Sequence, residues 1–421
     1  MRILVHDFAG HPFQLQLSRE LADRGAEVLH LCSAELDTPQ GSFNRLPTDP
    51  NDLQIRGLKV NCPHKKHQLL KRFVFERRYA AELARQAAAY RPDVVISANT
   101  PSVVLSKLAD WAASARVPWV NWVQDLYGLA AYKVLRKKLP VAGEVIGGYF
   151  LKLDKGSYRR AAASVVITDD FTPLLTDWGI DRTAVHTVPN WAPLAELPSR
   201  PRDNAWSHRQ GLDDRVRFIY SGTLSMKHNP ALLLALGEWL DESGAGELLV
   251  NSQGAAVEWL AGQARERGVS SIRCLGFQPY EELADAFGAA DVLVAVLEPD
   301  ASVFSVPSKV LSYFCAGRAI LAAIPSENLA AKTIQTAAAG EVVDPGDPEA
   351  FVAAARRLAE SLPLRQSAAS SGRAYAEATF DIGQIGDRFE AILRGAAGDS
   401  PVAPQRTATG RDAFAPQPAA G

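Results

Sequence analysis

Short apolar runs alternate with helix-patterned stretches along this chain, and the series runs through twice. In the first pass, Arg2–Val5, Glu27–Cys32, Pro92–Ser97, Pro118–Val123, Ser164–Thr168 and His186–Asn190 read as strands. Leu15–Arg24, Ser102–Ala115 and Asp170–Trp178 have helical periodicity between them. A further short strand is predicted near Gly57–Val60, inside a long polar loop. The second pass begins at Arg217–Ser221 and continues through Glu247–Asn251, Ile272–Gly276, Asp291–Leu297, Ala319–Ala323 and Gly340–Asp344, with helices between the strands. Alternation of this kind predicts an α/β fold with doubly wound sheets. A chain of 421 residues is too long for one ordinary core, so two Rossmann-like domains are expected. The predicted boundaries are 1–190 and 212–378, with a proline-rich polar linker at 191–211, a last amphipathic helix at 379–395 and a disordered tail at 396–421.

The stretch Val303–Ile320 carries the most chemistry. It follows a buried-strand run, and Pro307 suits the first turn of a helix, where a missing N–H costs nothing. Ser308 and Lys309 then fall at a helix N-terminus, where free backbone N–H groups and the helix dipole favour an anion. A second turn has the same logic. The strand ending at Ser221 runs into Gly222-Thr223, Lys227 follows, and Pro230 opens a helix. Gly222 permits close backbone approach, and Lys227 supplies a cation. Two such turns in one domain point to one diphosphate held between them. Gly254, in the loop after Asn251, and Phe277, Gln278 and Tyr280, after the Ile272 strand, are candidates to line a flat ring or a sugar. In the first half, Asp125 ends a strand, as do Asp7, His11, Asn99 and Thr100, and strand ends are where open α/β sheets gather ligands. For each, a turn or capping role competes with a functional one.

A net charge of −2 excludes a general polyelectrolyte binder, and no nucleic-acid partner is expected. Basic surface is confined to segments. Residues 64–86 interleave Lys71, Arg72, Arg77 and Arg78 with Phe73, Val74 and Phe75, and residues 132–160 flank an apolar piece with lysines and arginines. Each reads either as a solvated helix or as a face for anionic lipid headgroups. No apolar run reaches the ~20 residues of a membrane span. The four cysteines are scattered, without a CxxC pair, and no metal site is expected. These features together lead to an expected cytoplasmic protein, peripheral on the inner face of a membrane. GxGxxG is missing from the first strand-helix turn, which argues against a nicotinamide cofactor there.

Taken in order, the Phe218–Leu224 turn, Lys227, the Leu275–Leu283 stretch, the Ala290-Asp291-Val292 strand start and Pro307–Arg318 resemble glycosyltransferase family 4, of GT-B architecture. The Pro307-Ser-Lys helix start is similar to that of a branch seen in polysaccharide assembly, such as the colanic acid glycosyltransferases. The resemblance covers about Met1 to Leu393. It implies two Rossmann-like domains facing a central cleft, with the Phe380 helix crossing back to the first. It implies a nucleotide-diphosphate-sugar as co-substrate rather than a bound cofactor. Gly222, Thr223, Lys227, Pro307, Ser308 and Lys309 would meet the diphosphate, and Lys227 and Lys309 would stabilise the leaving group. The acceptor, a glycan or a lipid-linked sugar, would lie against the first domain, where Asp125 or His11 could assist. Transfer would be retaining and metal-independent. One departure stands out. The family often carries two glutamates around the Lys309 helix, and the corresponding positions here are Phe304 and Ser312. Glu298 on the preceding loop is the substitute candidate for contact with the sugar. A sugar-nucleotide epimerase of the same build and a silent nucleotide-binding protein are the rival readings.

Overall fold

The structure, a computed structural model, describes residues 1–35, 45–60, 62, 69–297 and 308–398. The first seven strands are β1 (Arg2–Asp7), β2 (Glu27–Ser33), β3 (Leu53–Leu58), β4 (Val94–Ala98), β5 (Trp119–Val123), β6 (Ala163–Val166) and β7 (Val185–Thr187). They form one parallel sheet in the order β3-β2-β1-β4-β5-β6-β7. The other six are β8 (Val216–Ser221), β9 (Gly246–Asn251), β10 (Ile272–Cys274), β11 (Val292–Val296), β12 (Ala319–Ala323) and β13 (Gly340–Val343), ordered β10-β9-β8-β11-β12-β13. Both sheets have helices on both faces, so the central strands are apolar on both sides. Ile3, Leu4 and Val5, and likewise Val292, Leu293 and Val294, are fully buried.

The strand order reverses between β1 and β4 in one sheet and between β8 and β11 in the other. At such a reversal the connecting helices leave in opposite directions, and a crevice opens at the carboxyl ends of the two strands. The loops after β8 and β11 are the Gly222 turn and the segment that leads to Lys309. The topology alone therefore brings the two candidate phosphate turns side by side.

The last helix, Ile382–Ala397, leaves the second domain and lies on the first. Arg24, just after the helix Pro12–Asp23, bonds Asp387, Glu390 and the Gly383 carbonyl, and Arg388 donates to the Thr187 carbonyl. Beneath them Phe389 enters an aromatic cluster with Trp122, Trp191 and Phe13. Stretch 191–211, expected as a linker, is packed. Trp191, Ala192, Leu197 and Trp206 are buried, and Ala205–Arg209 is a short helix capped by Asn204. Proline and polar residues there serve caps and turns on a buried path rather than a free tether.

Both basic segments are helical where described, and the second differs from its reading as one element. The part of 64–86 within the described residues is helix Leu69–Tyr90. Segment 132–160 forms two antiparallel helices, Tyr127–Lys138 and Pro140–Tyr158. Pro140 ends the first, because its ring cannot continue a helix, and opens the second from the first-turn position. The pair lies unusually close. A Cβ on Gly143 would collide with the Leu135 carbonyl, and one on Gly147 would stand 2.6 Å from the Tyr132 Cα. The expected tail lies, from residue 399, outside the described residues.

Candidate functional site

Strand β8 ends in Ser221, and the chain turns at Gly222 with φ +109°, a value that favours glycine. A side chain on Gly222 would also meet the Lys309 ammonium, whose Nζ lies 3.7 Å from the Cβ position. Lys309 is the first residue of the helix Lys309–Ala316. Its ammonium donates to the Thr223 carbonyl at 3.5 Å and sits 3.7 Å over the Tyr220 ring. Burial pushes this ammonium down to about 7. A carbonyl and a ring face leave it with donor capacity to spare, and an arriving anion would restore its charge.

Two tyrosines make the turn rigid. Tyr220 donates its hydroxyl to the Thr223 carbonyl at 2.7 Å. Tyr313, fully buried on the Lys309 helix, accepts from the Ser221 N–H at 3.0 Å and lies 3.2 Å from the Val294 carbonyl on β11. One side chain thus locks the ends of β8 and β11 and the helix that carries Lys309. The Leu224 N–H donates to the Ser252 hydroxyl, which ties the turn to β9 as well. Gly254 has φ +105° and precedes the helix Ala255–Arg267 without a side-chain cap. This helix begins after β9, the strand next to β8, with its first backbone N–H groups uncapped by a side chain.

The remaining sequence candidates in this domain divide. Thr223 and Ser308 are exposed beside Lys309, and Ser312 is half-buried further along that helix. Lys227 lies in the one-turn helix Met226–His228, and its side chain is outside the described residues, as are Glu298, Pro307 and Phe304. Phe277 is half-buried. Gln278 accepts from the Trp206 indole at 2.8 Å and donates to the Leu275 and Gly276 carbonyls. Tyr280 donates to Glu196 at 2.8 Å. Both polar ends are engaged by the 191–211 stretch, so they brace the loop rather than offer free groups to a ligand.

In the first domain, Asp7 is fully buried and caps its own turn, accepting from the Ala9 and His11 N–H groups. Burial raises its carboxyl above the usual range. Thr100 bonds Ser97, which in turn bonds His6, so it too belongs to the turn. Asn99 adopts φ +51° and donates to Gln14. His11 stacks on Phe13 with ring centres 5.6 Å apart. Asp125 differs from these. It follows β5, and burial pushes its carboxyl up to about 6. Tyr127, two residues on, lies close enough to feel its charge. Among the described residues, no three His, Cys, Asp or Glu side chains gather to hold a metal ion.

Comparison with known proteins decides which family this geometry serves. Residues 10–191 match a glycosyl transferase 4-like domain, and residues 215–361 match the glycosyl transferases group 1 domain. The chain carries both domains of a GT-B glycosyltransferase. This glycosyltransferase is 25% identical over 334 residues to a probable glycosyltransferase, WbjE, of Pseudomonas aeruginosa, covering 77% of this chain and 76% of that protein. Its fold is similar to that of sucrose-phosphate synthase from Thermosynechococcus elongatus, with 16% identity, a TM-score of 0.72 and coverage of 94% and 98%. It is also similar to Anabaena HepE in complex with UDP-glucose, with 14% identity, a TM-score of 0.66 and coverage of 94% and 100%. A putative UDP-N-acetylglucosamine 2-epimerase from Listeria monocytogenes shares the architecture as well, with 14% identity, a TM-score of 0.62 and coverage of 95% and 99%. Likeness at that level is a statement about fold alone.

The glycosyltransferase family was legible from the order of the Phe218–Leu224, Leu275–Leu283 and Pro307–Arg318 stretches. Tyr220 and Tyr313 were not read as site residues, because periodicity assigns them to a strand and a buried helix face. The only signal for them was a hydroxyl on an otherwise apolar position, which needs a partner once buried.

Proposed function

We propose that the glycosyltransferase moves a sugar from a nucleotide-diphosphate-sugar to an acceptor held against the first domain. The observation that carries this reading is the Lys309 ammonium, poised over Tyr220 beside the Gly222 turn at a strand-order reversal. HepE, of the same fold, is described in complex with UDP-glucose, which supports a nucleotide-sugar as the ligand class. In transfer, the bond from the anomeric carbon to the diphosphate oxygen breaks, and negative charge grows on the leaving group. Lys309, Lys227 and the N–H groups at the Lys309 helix start oppose that charge, the term that usually dominates such catalysis. The acceptor oxygen takes the sugar, and its proton passes to the departing phosphate, with retention and without a metal. Asp125 and His11 orient the acceptor.

The acceptor is a lipid-linked or polysaccharide sugar of the cell envelope, and the protein works at the inner face of the membrane. Support comes from the basic, apolar-faced helices of residues 69–90 and 127–158. No helix among the described residues is long and apolar enough to cross a membrane. The decisive assay follows nucleoside diphosphate release from UDP-sugars with and without a lipid-linked glycan acceptor. Release that requires acceptor is expected. Conversion of the donor to its epimer without acceptor would make the protein an epimerase, and binding without turnover would make it a silent nucleotide carrier.

Asp125 gives a pH test. Its carboxyl is raised to about 6 in the folded protein against 3.8 for an unperturbed aspartate. Between these values the folded chain holds a proton that the unfolded chain has released, so stability falls as pH rises through the interval. Above pH 6 the full cost of a buried carboxylate is present. Asp125→Asn is expected to raise the melting temperature at pH 7.5, to leave it nearly unchanged at pH 3.5, and to weaken acceptor KM more than donor KM. Equal melting shifts at both pH values would remove the assigned burial of this carboxylate.

A further inference from the structure

Between helices Leu69–Tyr90, Tyr127–Lys138 and Pro140–Tyr158 lies a cavity of about 200 Å³. Its walls are mostly carbon, supplied by Phe73, Ala131, Val134, Leu135 and Phe150. At the inner end stand Tyr127 and Ser102, on the loops and helices that follow β5 and β4. An unfilled apolar space costs stability in proportion to its volume, and one of ~150 Å³ already accepts a benzene ring. This space is therefore roomy enough for a short aliphatic segment.

The helix pair that walls the cavity carries a surface of unusual character on its outer side. Leu139, Val141, Val145, Ile146 and Tyr149 are exposed, Val141 to 83% and Val145 to 71%. On helix Pro140–Tyr158, residues 141, 145 and 149 recur at four-residue spacing, so they form one outward apolar stripe. The two helices carry six basic residues against Glu144 and Asp154. An apolar ridge ringed by cations suits an interface between hydrocarbon and anionic headgroups. Water alone gives no reason for the stripe.

The ridge is also held rigid. Close contact at Gly143 and Gly147 binds the second helix to the first. The Asp154 carboxylate accepts from the Gly128 N–H at 2.6 Å, which anchors the pair next to β5. Arg72 and Glu76, paired at 2.6 Å, close one side of the cavity. The cavity thus reaches Tyr127, two residues from Asp125, and the helices that wall it also carry the apolar, cationic surface.

We propose that this cavity holds a segment of the hydrocarbon chain of the lipid that carries the acceptor sugar, so that the chain as well as the headgroup selects the acceptor. The inference rests on the reading of a lipid-linked acceptor, and it adds a chain-binding site to it. Charge complementarity supports an anionic lipid: the phosphate that joins sugar to chain meets the basic residues of helix Tyr127–Lys138, which also walls the cavity, while the first part of the chain enters it.

The test measures binding of decyl phosphate and methyl phosphate below the micelle concentration by titration calorimetry. The wild type is expected to bind the decyl compound at least about tenfold more tightly, the scale of burying a few methylenes. Ala131→Phe, which fills the cavity, is expected to abolish that difference without changing UDP affinity. Val134→Lys, at the mouth, serves as a second variant should the first fail to fold. Chain-independent binding by the wild type would overturn the proposal, as would unchanged chain preference in a folded variant. Flotation with vesicles of equimolar phosphatidylglycerol and phosphatidylcholine separates the two readings. Vesicle binding without decyl preference overturns the cavity site and leaves membrane contact standing. Cavity-dependent decyl binding without flotation upholds the site and removes the membrane location.

Discussion

Lys309→Ala is expected to lower sugar transfer by about 10²–10³-fold, the usual cost of losing one preorganised group at a site of developing charge. The protein should remain folded. Lys309 makes one long bond to the Thr223 carbonyl and rests on the Tyr220 ring, and the turn itself is held by the Tyr220 and Tyr313 hydroxyls. Loss of activity with an unchanged unfolding midpoint would separate a role in transfer from a role in folding. The same lysine sets a pH dependence. Burial depresses its ammonium to about 7, so above that pH it is a neutral amine. A bound diphosphate favours the charged form, and binding must then take up a proton. Nucleoside diphosphate affinity is expected to fall as pH rises from 7 to 9 in the wild type. In Lys309→Ala it should be weak and nearly flat. A wild-type affinity that does not change over this interval would show that the ammonium does not meet the diphosphate.

Phe389→Ala is the second large effect. Phe389 is fully buried in the helix that crosses back to the first domain, 4.6 Å from Trp122 and 6.1 Å from Trp191, centre to centre. Truncation of a buried aromatic costs about 3–5 kcal/mol, from lost transfer energy and the cavity left behind. Here the loss falls on a junction. Trp191 begins the connection between the domains, and its indole donates to Gln16 on the first. Chemical denaturation should show the large destabilisation and also a split of one transition into two, as the domains unfold separately. A single transition with a midpoint close to wild type would mean that the crossing helix contributes little to coupling.

Why some of this was readable in the sequence and some was not follows from what each signal reports. Strands buried on both faces are continuous apolar runs, so β1, β8 and β11 were visible to within a residue or two. Glycine at φ +109° is a local requirement, which made the Gly222 turn visible before any tertiary contact was known. Partner choice is different. Gln278 and Tyr280 have the chemistry to face a nucleotide, yet they bond Trp206 and Glu196, which lie more than seventy residues earlier in the chain. Nothing in a window of sequence discloses such a bond. The helix Leu329–Thr336 escaped notice because it is short and alanine-rich, although Asn328 caps it by accepting from the Ala330 N–H. Segment 132–160 was read as one basic, apolar element. The close contacts at Gly143 and Gly147 that fold it into two helices appear only once Leu135 and Tyr132 are in place.

The central claim is that the Gly222 turn and Lys309 hold the diphosphate of the donor. Its most direct test is thermal unfolding of the wild type and Lys309→Ala at pH 7 with and without saturating UDP, GDP and ADP. A ligand that binds only the folded state raises its stability, by ~2.7 kcal/mol at one hundred times its dissociation constant. The account expects a marked rise in the melting temperature of the wild type with at least one of the three, and the loss of most of that rise in the variant. A rise of equal size in both proteins, or none in the wild type with any nucleotide, would contradict it.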